Sequence, residues 1–110
     1  MLDVRLYLAQ RLSAMVMVPL VLTHITVMIF AIQGGLSASE ILGRTQGSVF
    51  WMLFYGLFVV AASLHGAIGL RVIVHEVTGL RGATLGVLTW GGFGLFLIMG
   101  VRAVMAVTFA

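Results

Sequence analysis

Phe50-Trp51-Met52-Leu53-Phe54-Tyr55-Gly56-Leu57-Phe58-Val59-Val60-Ala61-Ala62-Ser63-Leu64-His65-Gly66-Ala67-Ile68-Gly69-Leu70 carries no formal charge from end to end. About 20 predominantly apolar residues, rising ~1.5 Å each, cross the hydrocarbon layer of a bilayer as one helix. Lipid offers no partner for an exposed peptide group, so a single segment of this kind is read as a spanning helix. The apolar stretch extends over residues 49–75, and two similar stretches flank it at 12–32 and 83–108. The expected fold is all-α: an integral membrane protein with three transmembrane helices, forming one domain over residues 1–110.

Composition agrees. Only 8% of residues are charged, against about a quarter in a soluble domain. There is no Lys, and the basic charge comes from a few arginines near the predicted span ends. No basic cluster or aromatic-basic interleaving accompanies them, so nucleic-acid binding is not expected. The absence of Cys excludes thiolate-bound iron–sulfur clusters, Cys-ligated zinc and c-type haem attachment within this chain. Residues 1–10 have no basic run and no small-residue cleavage site, so the first apolar segment is expected to be a retained helix. A chain this small cannot enclose a large site, so a cofactor would be shared with other subunits.

Between the first two spans, Gly34-Gly35 reads as a helix stop. Ser37-Ala38-Ser39-Glu40 resembles a capping box, which predicts a short interfacial helix over 39–44. Val77-Thr78-Gly79-Leu80-Arg81-Gly82 reads as a tight turn between the second and third spans. Arg5, Arg11, Arg71 and Arg81 fall on one side of the predicted membrane, Arg44 and Arg102 on the other. The positive-inside rule then places the N-terminus in the cytoplasm. Trp51 and Tyr55 fit an aromatic belt at the opposite surface. Gly86, Gly91, Gly92, Gly94 and Gly100 point to close helix contacts in the third span, or reflect the general abundance of glycine in membrane helices.

His65 is an ionisable group inside a span, and such groups are costly enough to mark functional sites. Ala61, His65 and Gly69 lie on one helix face, with Ala62 and Gly66 beside it. Small residues around a His leave room for a flat macrocycle, and imidazole is a common axial ligand of haem iron. Arg71 lies about 9 Å further along the helix, within reach of a haem propionate. The other reading is a His hydrogen-bonded to a neighbouring helix for packing alone.

His65-x3-Gly69-x-Arg71-x4-Glu76 resembles the second-helix motif of the cytochrome b membrane-anchor subunits of succinate dehydrogenase and fumarate reductase, usually His-x3-Gly-x-Arg-His-x3-Asp. Gln10-Arg11-Leu12-Ser13-Ala14 is similar to that family's His-Arg-x-Ser-Gly element. The resemblance covers nearly the whole chain. It implies that His65 is an axial ligand of haem b, that Arg71 and Arg11 contact propionates or polarise a quinone region, and that Ser13 hydrogen-bonds a quinone carbonyl. Gln10, Val72 and Glu76 depart from the pattern, and Val77 stands where a related anchor has a quinone-binding Tyr.

Family anchors with two haems carry ligand histidines on both the first and second helices, and the spacing of His24 and His65 resembles theirs. His24 is deeper than His65 by roughly 10 Å, too far for one iron. Its neighbours Leu20, Val21, Val27 and Met28 are bulky, although Pro19 offers a bend. A packing role for His24 stays open. His75, beside Glu76, reads as a cap at a helix C-terminus, with a proton relay to quinone as the alternative.

The resemblance therefore implies a subunit of succinate:quinone oxidoreductase, respiratory complex II, linking the tricarboxylic acid cycle to the respiratory chain. Its cofactors would be one or two haems b, shared with a second membrane-anchor subunit, and its substrate a quinone. Its partners would be a flavoprotein and an iron–sulfur subunit, and its place the bacterial inner membrane. The isolated chain is not expected to be catalytic. The alternatives are an anchor of another respiratory dehydrogenase and a small helical scaffold without redox function.

Overall fold

The computed structural model describes residues 3–35 and 37–109. It is built of four helices in chain order: α1 (Val4–Gln33), α2 (Ala38–Thr45), α3 (Val49–Thr78) and α4 (Gly82–Thr108), with no strand among the described residues. α1, α3 and α4 are long and apolar enough to cross a membrane. A 30-residue helix is about 45 Å long, which matches the 47 Å long axis of the molecule.

α1 starts earlier than hydropathy predicts. Asp3 accepts the Leu6 N–H on Oδ1 at 2.9 Å and so caps the helix. Arg5, Tyr7, Gln10 and Arg11 lower the hydropathy of this segment but continue the helix well, so the apolar signal marks contact with lipid rather than the helix start. The capping box is half formed: the Glu40 N–H donates to Ser37 Oγ at 3.2 Å, and α2 follows.

α3 ends three residues beyond the apolar run. Gly79 has φ 75°, a left-handed conformation that glycine adopts at little cost, and its N–H reaches the His75 carbonyl at 2.9 Å. His75 Nδ1 lies 2.7 Å from the Leu80 carbonyl oxygen. A carbonyl only accepts, so Nδ1 carries the proton, and His75 clamps the turn between α3 and α4. At the other end the Gly47 N–H donates to the Thr108 carbonyl at 2.8 Å and ties the loop before α3 to the end of α4.

α3 lies against both α1 and α4, and more extensively against α4. Both pairs are antiparallel. Along α1 and α3, Gln10 meets Gly69, Ser13 meets His65, and His24 meets Tyr55 and Phe58. Along α3 and α4, Arg71 meets Thr89, Leu70 meets Gly92, Gly66 meets Phe96, and Val59 meets Gly100. The buried apolar side chains, Ala61, Ala67, Ile68 and Leu85, lie in α3 and α4. Only 6% of the α1 span is buried, against 22% for α3. Such a surface is stable only against lipid or another polypeptide.

The glycines of α4 do not act alike. A Cβ on Gly100 would collide with Val59, lying 2.9 Å from its Cγ2, whereas one on Gly86, Gly91 or Gly94 would meet nothing within 4 Å. Gly100 therefore sets the approach of α4 to α3. Replacing Gly100 with Ala is expected to destabilise the helix pair by about 1–3 kcal/mol. Gly91→Ala should leave it unchanged or slightly more stable. Thermal unfolding of the detergent-solubilised protein checks the difference, and equal melting temperatures for the two variants would refute it.

Candidate functional site

Ser13 and His65 form the polar contact between α1 and α3. Ser13 is 5% exposed. Its Oγ lies 3.0 Å from the Gln10 carbonyl oxygen, to which it donates, and 3.4 Å from His65 Nδ1. Counting along antiparallel helices puts these residues at one depth.

The His65 ring is half-buried and opens onto a groove of about 300 Å³ lined by Ala14, Met17, Val18, Val21 and Leu22 of α1. All five are apolar. Val18 and Leu22 are 60% and 61% exposed, so the outer side of the groove is open. The small residues of α3 contribute less to this space than the sequence implies. Ala61 is buried, the missing side chain of Gly66 lies 3.7 Å from the Phe96 ring, and that of Gly69 lies 3.7 Å from the Gln10 amide nitrogen. Ala61 is packed inside the bundle, whereas a Cβ at Gly66 or Gly69 would meet its neighbour only at ordinary van der Waals distance. The room beside His65 comes from α1.

The other predicted residues lie apart from this pair. Arg71 Nη1 donates to Thr89 Oγ1 at 3.2 Å, and Thr89 Oγ1 donates to the Leu85 carbonyl at 2.8 Å. Arg71 is thus directed toward α4. Arg11 is exposed, with Nη1 3.3 Å from the Tyr7 hydroxyl and its guanidinium 6.0 Å from the centre of that ring. Thr89, fully buried and holding Arg71, was not singled out in the sequence. An isolated Thr in an apolar helix gives no signal until its partner is known.

His24 faces a second space. Its ring packs edge-on against Tyr55 at 5.8 Å and Phe58 at 5.6 Å between centroids. It lines a cavity of about 340 Å³ with Ile41 and Thr45 of α2, Tyr55 and Phe58 of α3, and Gly100 of α4 among others. His24 Nδ1 is buried without a hydrogen bond, as is Gln10 Oε1. α1 runs through Pro19 without interruption, and Thr23 Oγ1 donates to the Pro19 carbonyl at 2.7 Å. From Ser13 to His24 the helix rises about 16 Å, so the two histidines serve different depths. At the α2 end, Trp51 stacks on Tyr55 at 5.6 Å, and the Arg44 guanidinium lies 5.8 Å from the Trp51 ring centroid.

No group of three or more His, Asp or Glu side chains able to hold a bare metal ion occurs among the described residues. His65 and His24 each face a largely apolar space with no second His, Asp or Glu in its lining. A metal held here would have to bring most of its own ligands, as the iron of a macrocycle does.

Fold and site together define a multi-pass helical membrane protein with single histidines set into its spans. The family model for the succinate dehydrogenase/fumarate reductase transmembrane subunit matches residues 1–101, and the chain belongs to that family. It is therefore one subunit of a larger complex. No curated protein and no solved structure matches it.

Arg71 and Thr89 give a direct test of the α3–α4 contact. Thr89→Val removes the hydroxyl and keeps the shape, and should cost about 0.6–1.7 kcal/mol, the range of single hydrogen bonds between membrane helices. Thr89→Ser should cost less. Thermal unfolding of the solubilised complex provides the comparison, and a Val variant as stable as the native protein would remove the assigned bond.

Proposed function

We propose that this chain is the haem b-binding, quinone-site-forming anchor of a succinate:quinone oxidoreductase. The observation that carries the reading is His65: an imidazole within a membrane span, beside an apolar groove open on its outer side, in a chain of this family. The residues present fit a haem. Ala14, Met17, Val18, Val21 and Leu22 would provide the apolar lining for such a group, and the His65 imidazole would hold its iron. The open side of the groove would leave the rest of the group to be covered by a neighbouring subunit.

When bound, haem b supplies a one-electron store between the iron–sulfur partner and the quinone. The chain's own residues do the rest. α1 and α3 fix the depth of His65, and the apolar groove keeps water from the ring. Arg5, Arg11, Arg71 and Arg81 lie at or near the end of the bundle that holds the α1 start and the α3–α4 turn. In this reading that end faces the cytoplasm of a bacterial inner membrane, where the flavoprotein and iron–sulfur subunits dock. Arg11 and Arg71 are the cations able to polarise a quinone carbonyl or hold a propionate. Ser13 has committed its proton to Gln10, so the quinone reading rests on the arginines. His24, with an apolar cavity of its own, is the candidate ligand of a second haem at the other depth.

His65→Ala in the whole complex should abolish the b-type α-band of the dithionite-reduced protein, or halve it where a second haem is present. A full band in that variant would falsify the ligand assignment. His24→Ala separates the two stoichiometries: loss of about half the haem supports two groups, and no loss supports one. Co-purification of a flavoprotein and an iron–sulfur protein with the native chain is expected, and a colourless preparation lacking both would overturn the reading.

A further inference from the structure

We infer that Ser13 is the positioning residue of His65, accepting the Nδ1 proton and leaving Nε2 as the ligating nitrogen. The inference rests on the proposed haem reading and assigns Ser13 to the imidazole rather than to a quinone.

A serine hydroxyl has one proton and two lone pairs. The proton is directed to the Gln10 carbonyl at 3.0 Å, an oxygen that can only accept. Toward His65 Nδ1, 3.4 Å away, Ser13 Oγ therefore has a lone pair to offer. Nδ1 must carry the hydrogen for the contact to be attractive. The neutral ring then has its proton on Nδ1 and its free lone pair on Nε2. The opposite tautomer would make Ser13 surrender its bond to Gln10 or set two lone pairs against each other. Neither is favourable at a site 5% exposed, where no water can repair the loss.

No other hydrogen bond reaches the His65 ring among the described residues. The tautomer and the ring orientation accordingly depend on Ser13. A hydrogen bond at the far nitrogen fixes which nitrogen binds a metal and raises its basicity. Greater basicity favours the oxidised iron, so the hydroxyl lowers the reduction potential of the bound haem.

The test uses the whole complex with Ser13 replaced by Ala, Cys and Thr. Ala lacks the acceptor, Cys keeps a weak one at nearly the same shape, and Thr keeps the hydroxyl. The midpoint potential by optical redox titration should rise in the order Thr, Cys, Ala, with Thr close to native. Haem retention in the Ala variant should fall by about tenfold, at the low end for loss of such a partner. The quinone KM should stay unchanged. If Ser13→Ala does not assemble, the Cys variant against the Thr variant still reads the order.

An unmoved potential in both Ala and Cys variants would overturn the inference. So would a Thr variant shifted as far as Ala, which would mark a volume effect. A raised quinone KM with an unmoved potential would return Ser13 to the quinone. These outcomes are distinct from failure of the haem reading itself, which shows as a full b-type spectrum in His65→Ala.

Discussion

Polar atoms that α1, α3 and α4 carry into hydrocarbon depend on protein for their partners, because lipid provides none, and His24 Nδ1 and Gln10 Oε1 are left without one among the described residues. Most of the architecture follows from how that requirement is met. Thr45, Thr89 and Thr108 are buried hydroxyls that donate to the carbonyl one turn back, at 3.0, 2.8 and 2.6 Å. Thr89 also accepts from Arg71 and so joins α3 to α4, while the Gly47 N–H to the Thr108 carbonyl ties the loop before α3 to the end of α4. Ser13 donates its proton to the Gln10 carbonyl and turns a lone pair to His65, which joins α1 to α3. The helices are thus held in depth by polar contacts and in approach by small residues, of which Gly100 against Val59 is the tightest.

The three spans were legible because hydropathy integrates over about 20 residues, and a run such as 50–70 has no alternative reading. The ends were harder. Asp3 makes α1 begin at Val4, and the polar first turns hide that start from any apolar window. The turn over residues 77–82 was legible, and Gly79 supplies the left-handed residue that ends α3 there. The short helix after Ser37-Ala38-Ser39-Glu40 was visible in its cap, and it runs Ala38–Thr45. For the site, His65 stood out as an ionisable group in a span. Its partner did not, because choosing between Arg11 and Ser13 requires the rotation of α1 about its axis. Low amphipathicity leaves that rotation unsignalled: α1 is apolar nearly all round. What Gly66 and Gly69 face was hidden for the same reason. Smallness on a helix face is visible in sequence, but what lies opposite it is not.

Depth and rotation together separate the two histidines. Antiparallel pairing places His65 beside Ser13 near the start of α1, and His24 beside Tyr55 and Phe58 near the start of α3. Their walls also differ. The His65 groove is made by one face of α1 and is open outward, whereas the His24 cavity draws on all four helices, with α2 contributing Ile41 and Thr45. α2 is therefore part of the boundary of that cavity as well as a connection between spans.

An open groove beside a satisfied imidazole has a consequence for assembly. The chain holds Nδ1 through Ser13 but provides only α1 as a wall, with Val18 and Leu22 left largely uncovered. A planar ligand seated there would bury one face against α1 and present the other to whatever lies next in the membrane. Ligand binding and subunit association would then be coupled, each removing apolar surface that the other leaves exposed. A ligand bound there and the neighbour would stabilise each other, and a substitution at His65 that released such a ligand would also loosen the subunit contact on the α1 side.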